Sequence, residues 1–475
     1  MNQSFATPPS NQRLILIFLG WGMDAAPFSS LSKPGYDIML LSDYSGFRPD
    51  EDTDILAASI CNYQEIVVMA WSFGVRIAAD FLAGWRRKLP ITRAVAINGT
   101  TEHISDSCGI PLRIFQGTLE NLSPQSVRKF NRRMFNTASE FQAFIESDGC
   151  RRPFESLRQE LETFAEMNAI EADTSMWDMA IIGLNDAIIP ASNQQLAWRS
   201  VSTRLLAGAP HFPDLQHIID CEIIDKQLVA RRFAGAATSY GQHASAQETV
   251  AAKLWNLAKP FIYARISNNT GDKKLAVLEV GCGCGTLTRH FSPMLANHRI
   301  ELCDIAPAAP RQMPPGATFH CCDAETDMSS RGESTHDIVL SSSTLQWFNS
   351  PQTFLRNTLR TLRPGGIAAI SLFGPETYRE ISSITGISLN YPDLSSLTSA
   401  INNCAEMLHC EETILTERFD NPRSLLRHMK LTGVNALTPH SPASALKLLR
   451  NYPLAPSGEA PLTYHPIYLI FSKPK

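Results

Sequence analysis

Ser72, Asp186 and His211 are, in chain order, a hydroxyl nucleophile, an acid and a base. A serine hydroxyl attacks a carbonyl carbon only when a base removes its proton. Histidine does this near neutral pH, and a carboxylate holds the imidazole in the right tautomer. Ser72 stands in Ala70-Trp71-Ser72-Phe73-Gly74, at the end of the apolar run 66–70, with small residues two positions to either side. That spacing suits a nucleophile elbow, a strained strand-to-helix turn that lifts the hydroxyl above a sheet. An earlier apolar run, 14–19, ends in Gly20-Trp21-Gly22. Backbone N–H groups of Trp21 and Phe73 are therefore the expected oxyanion hole. Asp186 lies just past a late apolar run in Gly183-Leu184-Asn185-Asp186, and His211 lies in Ala209-Pro210-His211-Phe212-Pro213. His217 and Asp214 are rivals for the base and the acid; His217 sits within an apolar helical stretch, and His211 and Asp186 are preferred.

A second constellation carries a different chemistry. Glu279-Val280-Gly281-Cys282-Gly283-Cys284-Gly285 follows an apolar strand and opens a helix at Thr286-Leu287-Thr288. Gly281, Gly283 and Gly285 let backbone approach a ligand's ribose and amino-acid portion, a signal shared with dinucleotide sites. Three acids at successive strand ends turn the reading toward S-adenosyl-L-methionine. Glu279 suits the cationic amino-acid end, Asp304 the ribose hydroxyls, and Asp323 with Ala324 the adenine. Ser342 closes the fourth strand of this series.

These groups need rigid elements beneath them. Apolar runs at 14–19, 37–42, 66–70, 94–97, 112–115 and 179–183 alternate with helical stretches, one of them roughly 75–87. This predicts an α/β fold with a mostly parallel sheet. Residues from about 118 to 175 turn polar, charged and aromatic, and read as a helical cap over the sheet. Strand-like sequence fades after about 225, residues 233–263 read as helices, and a second alternation starts at 275. Two domains are expected, 1–228 and 229–475, as the 475-residue length favours.

Composition is that of an ordinary globular chain, 44% hydrophobic and 19% charged. The net charge of −4 gives no bias toward nucleic acid, and no apolar run is long enough to span a bilayer. Residues 1–13 lack a signal peptide's layout. Eleven cysteines lack zinc-ligand spacing, so no metal site and a reducing, cytoplasmic setting are expected.

With these residues in view, the N-terminal half resembles the BioG branch of the α/β-hydrolases, pimeloyl-[acyl-carrier protein] methyl ester esterases. The order Ser, Asp, His is also that of α/β-hydrolases. The matching pieces include Phe18-Leu19-Gly20-Trp21-Gly22-Met23-Asp24, Ala70-Trp71-Ser72-Phe73-Gly74-Val75, Asn98-Gly99-Thr100, Lys129-Phe130-Asn131-Arg132-Arg133-Met134 and Ala209-Pro210-His211-Phe212-Pro213. Phe212 stands where the family pattern expects tyrosine. The second half resembles the BioC family of malonyl-[acyl-carrier protein] O-methyltransferases, a Rossmann-like class I fold. It does so through Tyr240-Gly241-Gln242-His243-Ala244, Ser343-Thr344-Leu345-Gln346-Trp347 and Phe373-Gly374-Pro375-Glu376-Thr377, and only weakly over 385–460.

The resemblance implies that Tyr240, Gln247 and Trp347 line or close the methyl-transfer site, and that Trp21 borders the ester site. It implies a bifunctional enzyme of biotin synthesis that works on acyl-carrier protein. One half would methylate the malonyl carboxyl, and the other would hydrolyse the pimeloyl ester two elongation rounds later. Carrier protein is acidic, so the basic cap residues Arg128, Lys129, Arg132, Arg133, Arg151 and Arg152 are the expected docking surface. An apolar tunnel under the cap is expected to favour the longer acyl chain. Two rivals stay open: an esterase joined to a small-molecule methyltransferase, and a chain with one non-catalytic binding half.

Overall fold

The computed structural model describes residues 1–475 apart from 147–150, 168–172, 238–239, 269–273, 308–309, 311–312, 386–387, 403, 433 and 435–441. It divides into two compact units, Met1–Asp220 and Cys221–Lys475. The division lies before the expected 228/229. The intervening residues are tied into the second unit. Ile224 N–H donates to Asn349 Oδ1 at 2.8 Å, and Lys226 pairs with Glu325 at 2.8 Å.

In the first unit the strands are β1 (Asn2–Phe5), β2 (Arg13–Phe18), β3 (Asp37–Ser42), β4 (Glu65–Trp71), β5 (Ile91–Ile97), β6 (Met179–Gly183) and β7 (Thr203–Leu206). They form one sheet in the order β1-β3-β2-β4-β5-β6-β7, parallel except for the edge strand β1. β3 is buried along its whole length, and β2 and β4 after their first residue. Such near-continuous apolar runs belong to a sheet covered on both faces. The direction of strand addition reverses between β2 and β4. A crevice therefore opens at their carboxyl ends, where ligands bind in open α/β sheets.

The run 112–115, expected as a strand, is instead the first turn of helix Leu112–Glu120. Four residues, three of them apolar, cannot separate a period of two from one of 3.6. Here Phe115 turns inward while Leu112 and Ile114 stay exposed. The helical insertion thus begins at 112 rather than 118. It continues through Pro124–Arg133, Ala138–Glu146 and Phe154–Glu166 before β6. Ser123 starts the second of these helices with a capping box closed by Ser126, and Pro124 follows at a position that needs no N–H donor.

The second unit opens on helices Lys226–Ala236, Tyr240–His243 and Ser245–Ser267. The last buries Val250, Ala251, Leu254, Trp255, Ala258 and Ile262, a helical stripe against the sheet. Its strands are β8 (Ala276–Val280), β9 (Arg299–Asp304), β10 (Thr318–Cys321), β11 (His336–Ser342), β12 (Leu362–Phe373), β13 (Glu406–Glu412), β14 (Leu415–Phe419), β15 (Ala460–Tyr464) and β16 (Pro466–Ser472). The main sheet runs β10-β9-β8-β11-β12-β16-β13, with only β16 antiparallel to its neighbours, and β14 pairs with β15. Strand addition reverses between β8 and β11, again marking the crevice. Arg363 to Gly366 bulge inside β12. Leu362 pairs with His336 and Ile367 with Ile338.

No described cysteine is in a disulfide, and Cys282 and Cys303 are buried. Among the described residues no helix is long and apolar enough to cross a membrane.

Two candidate active sites

β4 delivers the chain to Ser72, which takes the left-handed backbone conformation at φ 56°. Helix Gly74–Trp85 follows at once. The sharp reversal presses this helix onto the end of β2. A Cβ at Gly74 would fall 2.4 Å from the Phe18 carbonyl oxygen and 2.5 Å from that of Leu19, so only glycine fits. Strain at a non-glycine residue persists only where the surroundings enforce it, and such places gather at functional sites.

The three distant polar residues meet here. His211 Nε2 lies 3.0 Å from Ser72 Oγ, and His211 Nδ1 lies 2.8 Å from Asp186 Oδ2. His211 is 1% exposed, and the Asp186 carboxylate is fully buried. His217 is elsewhere, on helix Leu215–Glu222, with its backbone N–H donating to Asp214 Oδ1 at 3.0 Å.

The positions of both partners are enforced from behind. Asp186 Oδ1 accepts the N–H groups of Ile188 and Ile189, at 2.8 and 2.9 Å, and Oδ2 accepts Gln194 Nε2 at 2.9 Å. The His211 carbonyl accepts Trp71 Nε1 at 3.0 Å and Asn98 Nδ2 at 2.9 Å. Gln194 was not legible in the sequence. Its helix, Ala191–Ala197, is short, and no spacing links Gln194 to Asp186. Asn98 could be noticed only as part of the Asn98-Gly99-Thr100 motif.

The N–H groups of Trp21 and Phe73 have no acceptor among the described residues. Trp21 is otherwise held on its side chain, where Nε1 donates to the Leu157 carbonyl at 2.9 Å and the ring meets Phe130 edge-on at 4.9 Å. Trp21 and Phe73 border an apolar slot of about 20 Å³ under the insertion, with Ile110, Ile114, Phe115, Phe130, Leu161 and Ile188, and Arg133 joins its lining. In place of the expected tunnel there is therefore a narrow slot, with room for about one water.

The six basic residues expected to dock carrier protein are not all free on the surface. Arg128 and Lys129 are exposed, while Arg132 and Arg133 donate to the carbonyls of Phe135 and Ala187, at 2.9 and 2.5 Å. Arg152 is withdrawn entirely, paired with Asp43 at 2.7 Å and Glu160 at 2.6 Å. A buried, doubly paired guanidinium cannot serve a docking partner, which corrects the expectation for that residue.

In the second unit the crevice at the β8/β11 switch holds a cavity of about 240 Å³. Glu279, Gly281, Gly283, Asp304, Asp323, Ala324 and Ser342 line it, as do Tyr240, Gln247 and Trp347. Gly285 is not in the lining; it turns the loop at φ 88°, its N–H donating to the Cys282 carbonyl at 2.8 Å. Gly281 permits close approach of the next strand's loop. A Cβ there would lie 2.0 Å from Thr344 Oγ1.

Each acid has a local reason for its position. Glu279 accepts Thr288 Oγ1 at 2.5 Å and meets no basic side chain among the described residues. Burial pushes its carboxyl up to about 8, with Thr288 opposing and Asp304 adding to the rise. Asp304 accepts the N–H groups of Ala306 and Gly283, each at 2.8 Å; burial raises its carboxyl and these bonds oppose the rise. Asp323 caps helix Ala324–Ser330 through Glu325 N–H at 3.1 Å.

Lys226, which no motif singled out, also lines the cavity. Its ammonium lies 3.4 Å from Asp323 Oδ1 and 4.5 Å from the centre of the Phe348 ring. Burial pushes Lys226 down, but Glu325 and Asp323 overcome it and hold the ammonium charged. Ser343, at φ 53°, and Gln247 each keep a buried side-chain oxygen in this lining without a hydrogen-bond partner among the described residues. A buried carboxylate lacking a cation, unsatisfied polar atoms and carboxylates at successive strand ends fit a ligand with a cationic amino-acid end, a ribose and a base.

Comparison with known proteins gives the same division. A family model described as pimeloyl-ACP methyl esterase BioG matches residues 2–219, and one for a methyltransferase domain matches 278–368. The crystal structure of BioG from Haemophilus influenzae is 30% identical, covering 44% of this chain and 94% of that one, with a TM-score of 0.38. The malonyl-[acyl-carrier protein] O-methyltransferase of Porphyromonas gingivalis is 30% identical, over 52% of this chain and 96% of its own length. That of Bacteroides fragilis is 34% identical over 98% of this chain and 94% of its own length. The chain therefore belongs to the malonyl-[acyl-carrier protein] O-methyltransferase family, with a BioG domain ahead of a methyltransferase domain whose methyl donor is S-adenosylmethionine.

Proposed function

We propose that the first unit is an α/β-hydrolase that cleaves the methyl ester of pimeloyl-[acyl-carrier protein], and that the second methylates the free carboxyl of malonyl-[acyl-carrier protein]. The observation that carries the reading is the unbroken hydrogen-bond chain Asp186–His211–Ser72 beside two N–H groups that have no acceptor among the described residues. In the forward step His211 Nε2 takes the Ser72 proton as Oγ bonds to the ester carbon. The developing oxyanion is received by Trp21 and Phe73 N–H. His211 returns the proton to the departing methoxide, giving methanol. A water then releases the acyl chain by the same route in reverse.

The slot under the insertion is the proposed acyl site. Because its volume is only about 20 Å³, side chains of the insertion must move aside as the chain enters. Arg128 and Arg133, exposed on helix Pro124–Arg133, remain the candidates for carrier-protein contact, with half-buried Arg132 beside them.

S-adenosylmethionine supplies an electrophilic methyl group when bound. Glu279 would take its ammonium, Asp304 its ribose hydroxyls, and Asp323 with Ala324 its adenine. The acceptor carboxylate needs no base, so Tyr240, Gln247 and Trp347 act by orientation and by excluding water. Glu279 gives this assignment a pH signature. Without a cation opposite, its carboxyl holds a proton up to about pH 8. Cofactor binding to the ionised form must release that proton. Affinity should therefore rise up to about tenfold per pH unit as pH climbs toward about 8, then level off, and Glu279→Gln should flatten the slope. Calorimetric titration from about pH 6 to about pH 9 checks it.

The test of the whole reading is complementation of two biotin auxotrophs, one lacking the esterase and one the methyltransferase. Ser72→Ala should lose only the first rescue and Asp304→Ala only the second. Loss of both rescues by either change, or of neither, would contradict the assignment.

A further inference from the structure

Glu160 is 0% exposed and lies on the last helix of the insertion, Phe154–Glu166. It faces backbone from two separate loops. Its Oε2 accepts the Gly22 N–H and its Oε1 the Tyr44 N–H, each at 2.9 Å, and Arg152 Nη1 binds Oε2 at 2.6 Å. The first loop follows β2 and contains Trp21; the second follows β3. Arg152 in turn reaches Asp43 Oδ1 and Ser156 Oγ, each at 2.7 Å, and Asp43 holds the left-handed conformation at φ 55°. From the same helix Thr163 Oγ1 accepts Gly46 N–H at 2.9 Å, and the Leu157 carbonyl accepts the Trp21 indole at 2.9 Å.

A buried ionised carboxylate is costly, and an apolar side chain of its size often packs as well or better. What an apolar side chain cannot do is accept N–H groups from both loops at once. Those bonds orient the peptide that follows Trp21, and the Leu157 contact fixes its ring. Between these two restraints lies the Trp21 N–H, which has no acceptor of its own among the described residues.

We propose that Glu160, paired with Arg152, is a positioning residue that aims the Trp21 N–H at the oxyanion of the Ser72 reaction. The role rests on the esterase reading of the first unit. It also gives the insertion a second duty, since the helix that covers the acyl slot then sets the geometry of the oxyanion hole.

Glu160→Gln keeps the volume and removes the charge. Its amide has one acceptor oxygen, so either the Tyr44 N–H, or the Gly22 N–H together with the guanidinium, faces an NH2 group instead. Steady-state hydrolysis of a carrier-protein methyl ester is measured, with rates normalised to chains whose Ser72 is labelled to completion by a fluorophosphonate. The expected result is a kcat lower by about 10- to 100-fold with KM within about threefold. A kcat within about twofold of wild type, or a loss carried by KM alone, overturns the role. If the glutamine variant does not fold, Glu160→Asp, which keeps the charge but cannot span both N–H groups, must show the same loss confined to kcat. A wild-type chain that turns over no methyl ester removes the esterase reading itself, whereas an active wild type with an unaltered Glu160→Gln removes only this one.

Discussion

Ser72→Ala should lower hydrolysis of pimeloyl methyl ester on carrier protein by about 10⁶-fold while methyl transfer continues at the wild-type rate. The loss is this large because the nucleophile, the base and the orienting acid act as one unit. With Ser72 gone, His211 still pairs with Asp186 but has no hydroxyl to deprotonate. Residual rate over water, about 10³- to 10⁴-fold, would come from the oxyanion hole and binding. Asp186→Asn should cost about 10⁴-fold, and the hydrogen bonds say why. Oδ1 is held by two backbone N–H groups, so an asparagine must place its oxygen there. Its NH2 then faces His211 Nδ1, forcing the proton onto Nε2, the nitrogen that must be free to take one. Measured kcat/KM checks both variants; more than about 1% activity in Ser72→Ala would identify another nucleophile.

The second large effect concerns chain length. The esterase would share a chain with the enzyme that makes methyl malonyl thioester, and cleaving that product would waste the donor. Pimeloyl carries four more methylenes, each worth about 0.8 kcal/mol if fully buried, or about 3 kcal/mol in all. We expect about two hundred-fold higher kcat/KM for the pimeloyl ester than for the malonyl ester on the same carrier protein. The residues to supply it are Ile110, Ile114, Phe115, Phe130, Leu161 and Ile188 of the slot. Phe130→Ala should narrow the ratio by opening the apolar wall to water. Equal rates on the two esters would mean that the slot does not discriminate chain length and would overturn this account.

Much of this molecule could be read before its fold was known. The apolar runs before Ser72 and Glu279 became β4 and β8 because unbroken apolar stretches suit strands covered on both faces. Turns with small residues around a polar one pointed to the carboxyl ends of those strands. The run 112–115 was misread because it is shorter than either periodicity needs. Of the strands after residue 400, β13 and β14 left little signal because they carry few apolar residues and are half-exposed, whereas the buried apolar run of β16 was legible and was not read.

Local sequence determined which side chain stands at the proposed nucleophile position, since a strand ending in a tight turn must present whatever residue sits there. It also determined the acids at the ends of β8 and β9. Only tertiary structure decided what those groups meet. Asp186 is held by Gln194, the Trp21 loop by Glu160, and Asp323 by Lys226, each pair joined across chain separations that leave no periodic trace. The same holds for Arg152, which reads as a surface charge in its run of basic residues and is an inner ion pair in the fold. A charge's neighbours in space set its energy and its role, and sequence spacing reports only its neighbours along the chain.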